Sequence, residues 1–192
     1  MRKYEINRQT KETEIDLKIN LDGTGNNKIS TGIDFFDHML TSFSVHSGFD
    51  IELKVKGDLK VDCHHTVEDT GIVLGQAFSS AIKDKRGIAR FGSCFIPMDE
   101  TLSFCAADVS GRAFLVFDAE FKRQFAGDLE TATVEEFFRA FTINANITLH
   151  IKNYYGTNDH HKIESMFKAM ARTLKDAVKV TGDKVPSSKG KL

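Results

Sequence analysis

Two histidine clusters recur in this chain at one fixed distance, and that repetition limits the folds open to it. His64-His65-Thr66-Val67-Glu68-Asp69 is echoed by His160-His161-Lys162-Ile163-Glu164-Ser165, an offset of 96 in a chain of 192 residues. Four of the seven histidines fall in these two stretches. The echo extends on both sides. Ile51-Glu52-Leu53-Lys54-Val55-Lys56 aligns with Ile147-Thr148-Leu149-His150-Ile151-Lys152 at the same offset. An apolar stripe at helical spacing follows each histidine pair: Val67, Gly71, Leu74, Phe78 and Ile82, then Ile163, Phe167, Met170, Leu174 and Val178. One offset shared by strand, motif and helix indicates a duplicated unit. The expected fold is α+β, an internal duplication of two similar strand-helix-strand-helix halves packed with pseudo-twofold symmetry. The halves are expected at 1–90 and 91–180, within one compact unit, with a polar C-terminal tail at 181–192.

The remaining elements follow from local pattern. Ile15, Leu17, Ile19 and Leu21 alternate with polar residues, so 2–9 and 13–21 read as strands on either side of a short turn. Residues 23–27 form a turn. A helix is expected from Asp34, acting as N-cap, with Phe35, Phe36, Met39, Leu40 and Phe43 inward and Gly48 closing it. Gly87 ends the helix that follows the first histidine pair. Strands are expected at 93–98, 101–109 and 113–121, with Gly111 at a hairpin-like break, and then a helix at 131–145.

Composition narrows the class of function. The net charge of −1 gives no general attraction to nucleic acid or an anionic membrane. No apolar run reaches the length of a membrane span, and Met1 to Ile6 lack the apolar core of a signal peptide. Cys63, Cys94 and Cys105 are odd in number and show no CxxC spacing, which fits reduced thiols in a cytoplasmic setting.

Imidazoles with a carboxylate four residues on are a metal-ligand pattern. In the first turns of a helix His64 and Glu68 share a face, and His65 and Glu68 nearly do. Adjacent histidines point about 100° apart around the axis, so each pair suits two ions, or one ion and a neighbouring subunit. His38 is a further candidate ligand, and Glu136 is its counterpart in the second half. The set of imidazole and carboxylate without thiolate favours Mn, Fe, Co or Zn over a Cys-rich structural site. Cys63, read as a strand residue beside His64, points away. A lone histidine near a helix start is usually a cap or a surface residue, and that reading holds for His46 and His150; a cation at His46 suits the helix end. Two duplicated pairs, each with its glutamate, favour metal.

The motifs Asp34-Phe35-Phe36-Asp37-His38-Met39-Leu40, His64-His65-Thr66-Val67-Glu68-Asp69, Ser110-Gly111-Arg112, His160-His161-Lys162-Ile163-Glu164 and Pro186-Ser187-Ser188-Lys189-Gly190 together resemble the imidazoleglycerol-phosphate dehydratase family. The resemblance covers nearly the whole chain. It implies two Mn2+ per active site, a homo-oligomer of 24 subunits, and sites formed where subunits meet. It also implies that His38, His64, His65, Glu68, His160, His161 and Glu164 are ligands. Some members carry histidine where this chain has Glu136, and a carboxylate there can still ligate.

The implied reaction converts imidazole glycerol phosphate to imidazole acetol phosphate and water, in histidine biosynthesis. The proton lost sits on an unactivated carbon. Two metals holding the ring as imidazolate let its electrons expel the adjacent hydroxyl, through a diazafulvene-like intermediate, to an enol that ketonises. Glu164, Glu68 and Glu12 are the acid/base candidates. Glu12, which also matches a family position near the substrate, would otherwise read as a solvated turn residue. Arg90 and Arg112 suit a phosphate through bidentate guanidinium contacts, with Lys168, Ser188 and Lys189 adding charge and a hydroxyl. Asp99 matches a family position without an assigned role. Two other readings use the same ligands: a dinuclear metallohydrolase that cleaves a phosphoester, and an assembly protein whose ions only join subunits.

Overall fold

The alternation at Ile15, Leu17 and Ile19 puts one face of a strand against helices and the other outward, and all three side chains are buried. The computed structural model describes residues 1–190. The first half runs β1 (Lys3–Gln9), β2 (Thr13–Asn20), β3 (Asn27–Ser30), α1 (Asp34–Ser47), β4 (Asp50–Gly57) and α2 (His64–Ile82). The second half runs β5 (Phe91–Met98), β6 (Thr101–Asp108), β7 (Phe114–Asp118), a short hairpin of β8 (Phe125–Ala126) and β9 (Leu129–Glu130), α3 (Thr133–Ala145), β10 (Thr148–Tyr155) and α4 (Asp159–Ala177). The sheets have matching orders, β1-β2-β4-β3 and β5-β6-β10-β7, and each half sends its helices to one side. The fold is the expected duplicated α+β arrangement. Every residue of the two predicted helical stripes is buried.

The ladders revise the duplication in one respect. Asn20 pairs with Asp50, and Asp108, at the same place on its strand, pairs with Thr148. The strand offset is therefore 98, not the 96 of the histidine pairs, because the second half is two residues shorter between strand and helix. A shift of two leaves the inward and outward faces unchanged, so the alternation could not reveal it.

Other expectations change as well. Gly111 does not break a hairpin: β7 runs parallel to β10, on the side of β10 away from β6, so the chain crosses over there. Asp34 is the first residue of α1 rather than its cap. The cap position is Ile33, and Asp128, from the β8–β9 turn, accepts hydrogen bonds from the Asp34 and Phe35 amides at 2.7 and 2.9 Å. Cys63 is the N-cap residue of α2, not a strand residue. β3 and the β8–β9 hairpin lacked a readable pattern because they are only four and two residues long per strand.

Candidate metal centre

Both histidine pairs open a helix, at the end of the fold where the β1–β2 and β5–β6 turns lie. His38 of α1 meets His160 and Glu164 of α4. His160 Nε2 is 3.0 Å and His38 Nε2 is 3.5 Å from the same Glu164 oxygen, and one ligand atom from each residue falls within 4.8 Å of the others. Around an ion with bonds of about 2.1 Å, neighbouring ligand atoms sit about 3.0 Å apart and opposed ones about 4.2 Å. The three residues therefore fit a divalent cation of the kind their donor set favours. Phe35 packs edge-on against the His160 ring at 4.9 Å and limits its rotation.

Glu164 has only 9 % of its side chain exposed. Burial disfavours its charge, but the Lys168 ammonium at 2.8 Å, with His160 and His38, outweighs that and holds the carboxyl below its usual range. Lys168, expected to meet a phosphate, is thus engaged with the carboxylate of Glu164, a candidate ligand.

The first pair is more open. His64 Nε2 lies 3.6 Å from Glu68, whose side chain is 44 % exposed. Glu136, on α3, faces Arg139 of its own helix at 3.7 Å. Within one pair the rings stand nearly perpendicular, 86° for His64/His65 and 82° for His160/His161, with centroids 6.2 and 6.0 Å apart. Adjacent histidines therefore address different places, as the helix angle requires.

His65 and His161 turn toward the strand turns. His65 Nδ1 contacts Asp58 at 3.0 Å, with Glu12 3.8 Å from Nε2. The hydrogen bond to Asp58 raises the His65 pKa, against a smaller desolvation effect and with help from Glu12. His161 Nδ1 contacts Glu100 at 2.8 Å, with Asp99 3.7 Å from Nε2. The bonds to His161 and to the Asn158 and Thr157 amides hold Glu100 far below the usual carboxylate range. Asp58 and Glu100 went unnoticed in the sequence because a strand–turn carboxylate carries no motif.

The phosphate candidates lie elsewhere. Arg90 makes a two-pronged contact with Asp108 at 2.7 and 3.2 Å and donates to the Pro186 carbonyl at 2.9 Å. Arg112 reaches the same Asp108 at 3.3 Å. Ser188 and Lys189 are exposed on the tail beside Arg90's Pro186 contact. Of the predicted tail, residues 191–192 lie outside the described residues. The Arg90 amide donates to Ala177 at the C-terminal end of α4, 17 residues beyond His160, which at 1.5 Å per residue is about 25 Å. Arg2, at the open end of the β1–β2 hairpin, contacts Val178 beside this cluster, while Glu12 and His65 occupy the other end. Both histidine pairs thus lie roughly an element's length from the arginines.

A duplicated α+β fold whose two halves each present paired histidines and a glutamate marks the chain as a candidate metal-binding protein. A model of the family described as imidazoleglycerol-phosphate dehydratase matches residues 31–174. The chain is 56 % identical over 193 residues to the imidazoleglycerol-phosphate dehydratase of Acetivibrio thermocellus, covering all of this chain and 99 % of that one. Its fold is similar to the Staphylococcus aureus enzyme's crystal structure (TM-score 0.85, 42 % identity, 93 % of this chain and 99 % of that one) and to the Pyrococcus furiosus enzyme's in complex with (S)-C348 (TM-score 0.85, 33 % identity, 97 % and 100 %). The chain belongs to the imidazoleglycerol-phosphate dehydratase family, the hydro-lyases of histidine biosynthesis.

Proposed function

We propose that the chain dehydrates imidazole glycerol phosphate to imidazole acetol phosphate in the cytoplasm, using two Mn2+ per site, in sites shared between copies of a 24-subunit homo-oligomer. One observation carries the shared-site reading: the metal-ligand set and the arginine cluster sit at opposite ends of one chain. A ring and a phosphate joined by three carbons cannot span that separation, so the arginines that hold the phosphate come from a neighbouring copy. The outer face of the second sheet supports such packing. Phe91, Phe95, Phe114 and Tyr154 are exposed there, whereas the first sheet's outer face carries Lys18, Glu52 and Lys54.

His38, His160 and Glu164, with His64, His65, Glu68, Glu136 and His161, are the residues that would hold the ions. When bound, the ions supply Lewis-acid stabilisation of negative charge on the substrate's ring. Arg90 and Arg112, with Ser188 and Lys189, fix the phosphate by charge and hydrogen bonds. The hydroxyl beside the ring leaves first and the proton on the neighbouring carbon second. Glu12, poised beside His65 on an exposed turn, exchanges that proton with water, and Glu164 keeps its buried charge directed at the ligand cluster. No helix among the described residues is long and apolar enough to cross a membrane.

A product assay on imidazole glycerol phosphate tests the reading. Formation of a ketone with phosphate retained is expected. Release of inorganic phosphate would instead establish the metallohydrolase. Chelation is expected to reduce the particle to a smaller oligomer, and an unchanged mass after metal removal would contradict metal-joined subunits.

A further inference from the structure

The second histidine of each pair is held at Nδ1 by a carboxylate, and the two carboxylates come from places that do not correspond. Asp58 lies in the connection between β4 and α2. Glu100 lies in the β5–β6 turn, where the ladders equate it with Glu12. The symmetry of the fold alone does not explain a contact built twice from unlike positions. We propose that Asp58 and Glu100 are positioning residues that hold His65 and His161 in the Nδ1-protonated tautomer, leaving each Nε2 lone pair for a divalent ion. The inference rests on the metal-binding reading of these histidines.

The hydrogen-bond roles leave no choice of direction. A carboxylate only accepts, so each Nδ1 must donate, and the neutral ring's other nitrogen is then unprotonated. Metal-ligating imidazoles characteristically have such a partner. The two carboxylates differ in how firmly they are held. Oε1 of Glu100 accepts from the Thr157 and Asn158 amides at 2.9 and 2.8 Å, so Oε2 alone faces the ring. Among the described residues, both Asp58 oxygens face only His65, at 3.2 and 3.0 Å.

That difference makes isosteric amides diagnostic. In Glu100→Gln the amide oxygen must stay on the two peptide N–H groups, so its NH2 faces Nδ1. His161 is then forced to carry its proton on Nε2, which blocks coordination. In Asp58→Asn the amide is free to turn its oxygen toward His65, so the tautomer survives. Mn2+ affinity is measured on metal-free protein by electron paramagnetic resonance of the free ion, with circular dichroism to confirm the fold. Glu100→Gln is expected to bind Mn2+ roughly 10- to 100-fold more weakly, while Asp58→Asn stays close to the parent. Asp58→Ala is expected to weaken binding over the same range, with Asp58→Asn as its rescue. Parental affinity in both Glu100→Gln and Asp58→Ala would overturn the inference alone. A parent protein that binds no Mn2+ would overturn the metal reading and this inference with it.

Discussion

The two halves use one plan to build two unlike helix pairs. In α1 with α4, His38, His160 and Glu164 converge within a single chain, and Glu164 is buried with its charge met by Lys168. In α2 with α3, Glu68 is half-exposed, His64 stands off it at 3.6 Å, and Glu136 is occupied by Arg139. The packing differs in parallel. α3 lies so close to α2 that a Cβ on Gly71 would come 2.7 Å from the Phe137 carbonyl, and one on Gly75 2.6 Å from that of Phe141. At the matching positions α4 carries Phe167 and Ala171. The Phe167 ring packs between Phe36 and Phe138, at 6.5 and 5.0 Å. The duplication preserved the His-His-x-x-Glu spacing while each core was filled differently. His38, His160 and Glu164 form a candidate half-site assembled within one chain, whereas His64 and Glu68 form a more open one.

Paired substitutions probe that contrast. The largest effect is expected at the assembled half-site: Glu164→Gln should lower turnover by roughly 10²- to 10⁴-fold with a much smaller change in substrate binding. Glu68→Gln, at the open half-site, should cost less. Steady-state kinetics of both variants checks this, and loss of substrate binding alone in Glu164→Gln would show that its role was misassigned. Next come the cores, in opposite senses. Phe167→Ala removes a ring that is 1 % exposed and should cost about 3–5 kcal/mol, whereas Gly71→Ala adds a methyl where the α3 backbone leaves no room and should cost about 1–3 kcal/mol. Thermal unfolding at fixed protein concentration measures both. A neutral Gly71→Ala would mean the helices separate easily.

The smallest effect concerns His46, in the last turn of α1. Rather than gaining charge from the helix end, it has its pKa pushed down, by burial first and then by Lys168 and Arg172, with Glu164 opposing. Between that lowered value and the ordinary one near ~6.5, the unfolded chain binds more protons than the folded one. Stability should therefore fall as pH drops through that window, and His46→Gln should flatten that part of the profile. An unchanged slope would place the pH dependence on other groups.

Much of this was legible in the chain. Strict alternation at Ile15 to Leu21 and the stripe from Ile163 to Val178 betray strand and helix because burial imposes their periods. The doubled histidine pairs pointed to a candidate site, and the structure brings His160 of the second pair together with His38 and Glu164. Asp128 was not legible as the cap of α1, since it approaches from 94 residues away. Asp58 and Glu100 were equally silent, because their role exists only once turns and helix ends are brought together. The offset of 98 between the strands was hidden by the two-residue period of the strand itself.

We propose that both halves supply ligands and that the chain holds two ions. Manganese content per chain, measured after reconstitution of the metal-free protein and exhaustive dialysis, tests it most directly. Two Mn2+ per chain are expected for the parent, with loss of tightly held metal in a His64/His160 double substitution. An active parent with one ion or none per chain would contradict it.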